Sequence, residues 1–242
     1  MKKSSETQLI HRKGISKAEE EPTNPSIRLK KKRPLMIGLT GGLGSGKSSV
    51  GKMLDSKEIK VVDTDDISKE LMVPGTPVYD EIVRKFGKGI LSAKGAVDRA
   101  RLAGIVFQDS AKRMILEQIV HPAIREEVFR RAGQAAESGI LCFVVEATLI
   151  YESHFDRECS AVIVVNARPD QQRERTRQER NYPDHHISAV LAAQMPLSEK
   201  VKRAAFVIDN SGTLGETRRQ VAVLRIKLIE MAQSSAKARH RD

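Results

Sequence analysis

Residues 35–50 read LMIGLTGGLGSGKSSV, and the order of residue types in that stretch decides the fold. Leu35, Met36, Ile37 and Leu39 make a short apolar run, a glycine-rich turn follows, and Lys47 onward has the spacing of a helix. Gly41, Gly46, Lys47 and Ser48 match G-x-x-x-x-G-K-[S/T], the phosphate loop (P-loop) of nucleotide-binding proteins. The chemistry requires these types. Glycines let backbone N–H groups turn inward around phosphate oxygens, and the N-terminus of the following helix adds partial positive charge. Lys47 is spaced to reach the β- and γ-phosphates and the Ser48 hydroxyl to bind Mg²⁺, with Gly44, Ser45, Gly46 and Ser49 completing the cradle. A strand before the turn and a helix after it separate this pattern from a glycine-rich turn that binds nothing.

Outward from the loop, Val50, Met53 and Leu54 give the helix an apolar face as far as about Ser56. Lys60 to Asp66, KVVDTDD, predicts a short buried strand ending in carboxylates. In an open parallel sheet the carboxyl ends of strands face the ligand crevice, so one of these acids can orient an acceptor hydroxyl, take its proton or help hold magnesium. Helix capping is the ordinary alternative for Asp63 or Asp66. From Ile67 to Ser138 the pattern is helical, broken at Pro74-Gly75, at Gly87 to Gly95 and at His121-Pro122. That exceeds one crossover and predicts a helical subdomain inserted at about 67–138, of the kind that holds a second substrate. His121 either caps a helix end or faces that substrate.

Ile140 to Val145 predicts a buried strand running into Glu146, where a magnesium-linked carboxylate is expected. Residues 161–165 and 206–208 predict two more strands, and 215–232 a closing amphipathic helix. The alternation implies an α/β protein with five parallel strands and helices on both faces. Arg173, Arg175, Arg177 and Arg180 share one helix before the last strand, as a solvated face or as a lid that closes on the transferring phosphoryl.

The chain of 242 residues suits one α/β domain with an insertion, and 40% hydrophobic residues suffice for a core. Aromatics at 4%, without Trp, argue against stacking platforms for single-stranded nucleic acid. The net charge of +11 is concentrated at the ends: residues 1–34 hold ten Lys/Arg against four Glu, and residues 233–242 hold three against one Asp. About +3 remains for the rest, an ordinary value for an enzyme of polyanionic substrates. Residues 1–33 read as a disordered basic extension, with an RNA- or membrane-contacting arm as the alternative, and 233–242 as a basic tail. With no long apolar stretch and only Cys142 and Cys159, the chain reads as cytoplasmic, with reduced thiols and no zinc site or disulfide. Nucleic acid is not an expected partner, and a monomer is expected.

Several stretches, taken in order, resemble the dephospho-CoA kinase family: IGLTGGLGSGKSSV (37–50), VVDTDDI (61–67), DRARLAGIVF (98–107), HP (121–122), EATLIYE (146–152), AAQMPLSEK (192–200) and VIDNSG (207–212). The resemblance spans roughly 35–230, and its QMPLSEK and VIDNSG pair is far more specific than the P-loop. It implies a nucleoside-monophosphate-kinase-like fold: core 34–66, 139–168 and 205–232, a CoA-binding insertion, and a lid at about 169–204. It implies transfer of the γ-phosphoryl of ATP, with Mg²⁺, to the ribose 3′-hydroxyl of dephospho-CoA, the last step in making coenzyme A. Asp65 then falls on the catalytic aspartate, Arg101, His121 and Arg125 near the acceptor, Asn210 near adenine, and Arg175 on the lid arginine. Thr148 stands where the family usually has Pro, Glu146 where Asp is frequent, and Arg175 and Arg180 are five apart rather than four. The competing readings are another small-molecule or nucleotide kinase on this fold, or a nucleotide-dependent RNA-binding protein using the basic arm. A signalling GTPase lacks support because N-K-x-D is missing.

Overall fold

A computed structural model describes residues 33–180 and 194–238, apart from the side chains of residues 179–180. The expected basic extension, except Arg33, the chain beyond Ala238 and residues 181–193 of the expected lid lie outside the described residues.

The sheet has five strands, all parallel, as the sequence predicts, and its order β2-β3-β1-β4-β5 puts strand β1 (Leu35–Gly41) in the middle. The others are β2 (Ile59–Asp63), β3 (Cys142–Glu146), β4 (Ala161–Asn166) and β5 (Phe206–Asp209). Side chains alternate between the two faces. Leu35, Ile37, Leu39, Cys142, Val144, Ile163 and Val165 form one buried layer with α1 (Lys47–Leu54) and the C-terminal helix, through Val50, Leu54, Val221, Leu224 and Leu228. Phe143 and Val145 turn the other way, onto Ile67, Val128, Ala132 and Ala135 of two insertion helices. Each buried Val, Leu or Ile contributes about 1.5–3 kcal/mol. Register Leu39↔Glu146 and Asp63↔Glu146 brings the carboxyl ends of β1, β2 and β3 level with one another.

The insertion holds α2 (Thr64–Leu71), α3 (Pro77–Phe86), α4 (Arg99–Gln108) and α5 (Ser110–Glu137), with a core of its own around Val78, Ile82, Ile90, Leu102 and Val120. Thr76, Asp98 and Asp109 cap α3, α4 and α5 by accepting from first-turn N–H groups. The break expected at His121-Pro122 does not occur: α5 runs through Pro122. Apolar residues before it (Leu116, Ile119, Val120) and after it (Ala123, Ile124) dock on the same cluster, and that burial outweighs the one backbone bond proline forfeits.

Three further helices follow among the described residues: α6 (Pro169–Arg180), α7 (Leu197–Arg203) and α8 (Leu214–Ala238). α8 extends six residues past the expected end at 232, so the basic tail cannot begin at 233. Ala232, buried, and Met231, half-buried, pack on the β-sheet core just before that stretch. Both ends of the expected lid belong to the core. Gln172 and Thr176 of α6 and Lys200 of α7 are buried. Cys142 and Cys159 are free thiols. Among the described residues no helix is long and apolar enough to cross a membrane.

Candidate active site

The loop between β1 and α1 sits where the connections leaving β1 and its neighbour β4 run toward opposite edges of the sheet, the usual ligand crevice of such folds. Its shape depends on two glycines. Gly44 (φ 69°) and Gly46 (φ 90°) occupy the left-handed region, and Gly46 caps α1 without a side-chain bond, which leaves the first-turn N–H groups to a ligand. Close approach is needed as well: a Cβ on Gly44 would lie 2.2 Å from the Gln172 carbonyl oxygen and 2.6 Å from Thr176 Oγ1. α6 is therefore seated directly on the loop. Lys47 Nζ curls back toward the carbonyls of Gly41 (3.4 Å) and Gly42 (3.3 Å), at the mouth of the cradle.

Ser48 Oγ donates to Glu146 Oε1 at 2.7 Å. Burial pushes the Glu146 carboxyl above its usual range; the Ser48 bond and Lys47 oppose that push, while negative charge on Asp63 and Asp65 adds to it. Asp63, on the neighbouring strand end, is likewise raised by burial, against the N–H of Asp65. A buried carboxylate joined to the loop serine is a hard oxygen pair that fits Mg²⁺, and a cation there would favour the ionised form of Glu146 that burial disfavours.

The strand expected to reach Asp66 stops at Asp63, whose Oδ1 accepts from the N–H of Asp65 at 2.8 Å and caps α2. Capping thus falls to Asp63. Asp66 pairs with Lys69, and Asp65 is left exposed in the first turn of α2. Arg131 of α5 bonds both Glu127 and Glu70, which ties α2 to α5 and fixes where Asp65 stands.

Around the loop's other side, Asn210, just past β5, donates from Nδ2 to the Ser45 carbonyl at 2.9 Å. Arg175 Nη2 donates to the Asn210 carbonyl at 3.0 Å, while its Nη1 is buried with no hydrogen-bond partner and lies next to Gly46. Arg173 and Arg177 are exposed, Arg177 pairing with Glu174. The expected acceptor residues are engaged within the insertion and its surroundings. Arg101 bonds its own helix cap Asp98 and the Leu91 carbonyl, Arg125 bonds Glu158 in the turn after β3, and His121 is exposed midway along α5.

Sequence reasoning missed the support of the β3 loop. Thr40 Oγ1 (3.0 Å) and Lys200 Nζ (2.6 Å) both donate to the Thr148 carbonyl, and Lys200, fully buried, also pairs with Glu152 at 3.0 Å. Proline at 148 would supply the same carbonyl, so Thr148 leaves these two bonds possible. The signal was present in the lysine that ends QMPLSEK, but a lysine in a polar helix reads as solvated.

A phosphate loop at the central strand of a parallel sheet, facing strand-end carboxylates and an inserted helical subdomain, belongs to the phosphate-loop kinase class. A family model described as dephospho-CoA kinase matches residues 35–216. A Bacillus cereus dephospho-CoA kinase is 40% identical over 190 residues, 78% of this chain and 95% of its own length. One from Symbiobacterium thermophilum is 43% identical over 186 residues, 77% of this chain and 78% of its own. Among solved structures, TT1252 from Thermus thermophilus matches with a TM-score of 0.70 at 27% identity, covering 81% of this chain and 99% of that one. Dephospho-CoA kinase from Campylobacter jejuni shares the fold with a TM-score of 0.60 at 24% identity over 81% and 97%. The chain belongs to the dephospho-CoA kinase family.

Proposed function

We propose that the chain transfers the γ-phosphoryl of ATP to the ribose 3′-hydroxyl of dephospho-CoA, giving ADP and coenzyme A. The observation that carries this reading is the 2.7 Å bond from Ser48 Oγ to Glu146 Oε1, which joins the phosphate loop to a buried carboxylate beside Asp63 and Asp65. Loop N–H groups from Gly44 to Ser49 and Lys47 hold the β- and γ-phosphates. Ser48 and Glu146 are the residues that would hold Mg²⁺, which when bound neutralises phosphate charge. The 3′-oxygen attacks phosphorus in line, the bond to the β-phosphate oxygen breaks, ADP leaves, and Asp65 takes the hydroxyl proton. Its exposure in the first turn of α2 supports that role.

Arg175 stabilises the transferring group; its buried, unpartnered Nη1 beside Gly46 is a donor awaiting an acceptor. Arg101, His121 and Arg125 of the insertion contact the acceptor, for which Arg101 and Arg125 exchange their present partners. Closure of the lid expected at about 169–204, within which Gln172, Thr176 and Lys200 are buried, excludes water that would hydrolyse ATP. Ser48, Glu146, Asp65, Arg175 and Asn210 all come from one chain, so a monomer suffices, acting in the cytoplasm where ATP is supplied.

Product analysis tests the reading. Incubation with Mg·ATP and dephospho-CoA should yield coenzyme A with its new phosphorus resonance on the ribose 3′ position. Phosphate on another group, or faster phosphorylation of AMP or shikimate, would contradict it.

A further inference from the structure

Asn210, the residue expected beside adenine, is hydrogen-bonded to the phosphate loop. Every polar group of Asn210 has a partner. Nδ2 donates to the Ser45 carbonyl at 2.9 Å, Oδ1 accepts from Thr217 Oγ1 at 2.8 Å, the main-chain N–H donates to the Asn166 carbonyl at 2.7 Å, and the main-chain carbonyl accepts from Arg175 Nη2 at 3.0 Å. Thr217 is buried in the first turn of α8, so the amide's rotamer is held from behind. Nδ2 lies so close to the loop that a Cβ on Gly46 would come within 2.2 Å of it. One of its hydrogens is therefore directed at the loop backbone.

A phosphate cradle needs its N–H groups turned inward, which turns intervening carbonyls outward into protein. An outward carbonyl buried without a donor costs the full desolvation of that group. Asn210 supplies the donor for the Ser45 carbonyl, one residue before the left-handed Gly46 and two before Lys47. It also joins the ends of β4 and β5, the start of α8 and the arginine of α6 to that point.

We propose that Asn210 is a positioning residue that holds the phosphate loop in its anion-binding shape, acting on the triphosphate through Ser45 and not on the base. This rests on the kinase reading only in requiring that the loop bind a nucleotide triphosphate.

The test compares wild type, Asn210→Ala, Asn210→Asp and Thr217→Val in binding ATP, GTP and inorganic tripolyphosphate, by calorimetry. Losing one buried hydrogen bond should weaken all three ligands alike, by roughly tenfold in Asn210→Ala. Asn210→Asp keeps the shape and the acceptor for Thr217 but has no hydrogen for the Ser45 carbonyl and adds a negative charge, so it should be at least as impaired; a space-filling role would spare Thr217→Val, which leaves Asn210 in place and adds no charge. Thr217→Val should show the same even pattern more weakly. A loss confined to ATP with tripolyphosphate unchanged, or no loss in either Asn210 variant, overturns the proposal. Should Asn210→Ala fail to fold, the near-isosteric Asn210→Asp and Thr217→Val decide. Failure of wild type to bind ATP and tripolyphosphate would instead overturn the kinase reading.

Discussion

Replacing Lys200 with Met strips the charge from a fully buried ammonium while nearly keeping its volume. Two groups then lose a donor. The Thr148 carbonyl keeps only Thr40 Oγ1, and Glu152 keeps only the Met195 N–H at 2.8 Å, its Oε2 being buried without a hydrogen-bond partner. Removing one partner of a buried ion pair costs about 3–5 kcal/mol, because the other charge is stranded. The Glu152 side chain retains 23% exposure, so water takes up part of that charge and about 3 kcal/mol is expected. That is a large share of a domain stability of roughly 5–15 kcal/mol. Urea unfolding would measure it, with the double variant Lys200→Met, Glu152→Leu alongside. With neither charge present, the double variant should recover at least about 1 kcal/mol over the single. A single-variant loss under about 1 kcal/mol, or a double variant no more stable than the single, would refute the reasoning. Either result would mean that the pair does not hold the loop that follows Glu146.

Burial raises the Glu146 carboxyl, so the stability tied to its protonated form is fully present below the ordinary value of 4.5 and lost as pH rises through the raised folded value. Glu146→Gln should therefore melt higher than wild type at pH 8 while kcat falls on the order of 10²-fold and more Mg²⁺ is needed; a lower melting temperature would contradict the burial argument. Glu127 runs the other way: its bonds to Arg130 and Arg131 hold it at about 2, so its stabilisation is present above 4.5 and lost as pH falls toward 2. Acid unfolding of Glu127→Gln should be shallower over that range than that of wild type, and an unchanged acid limb would remove the pair from the account. Gly44→Ala must place a Cβ against the Gln172 carbonyl at a φ of 69°; it should lower the melting temperature and abolish ATP binding, and retained affinity would show that α6 yields.

Local chemistry explains which parts were legible in the sequence. The run from Leu35 to Val50 declares itself because strand, glycine turn and helix start are set by neighbours in the chain, and the same holds for the acids ending β2 and β3. Pro122 misled because its local cost is visible while the clusters that outweigh it are assembled from α3, α4 and α5. Lys200 could not be read as buried, since Thr148 and Glu152 are about fifty residues away in sequence. Asn210 was found through resemblance, but its partners Ser45, Asn166 and Thr217 meet only when β5 is laid beside β4. Of the two acids that could cap α2, Asp63 or Asp66, the strand's end at Asp63 selects Asp63 and leaves Asp65 exposed in the first turn.

The most direct test of the whole account is a coupled ADP-release assay with Mg·ATP and dephospho-CoA on wild type and Asp65→Asn, with AMP as the control acceptor. The account predicts turnover with dephospho-CoA, little with AMP, and a fall on the order of 10²–10⁴-fold in the variant. Turnover that favours AMP, or a fall of less than about tenfold in Asp65→Asn, would contradict it.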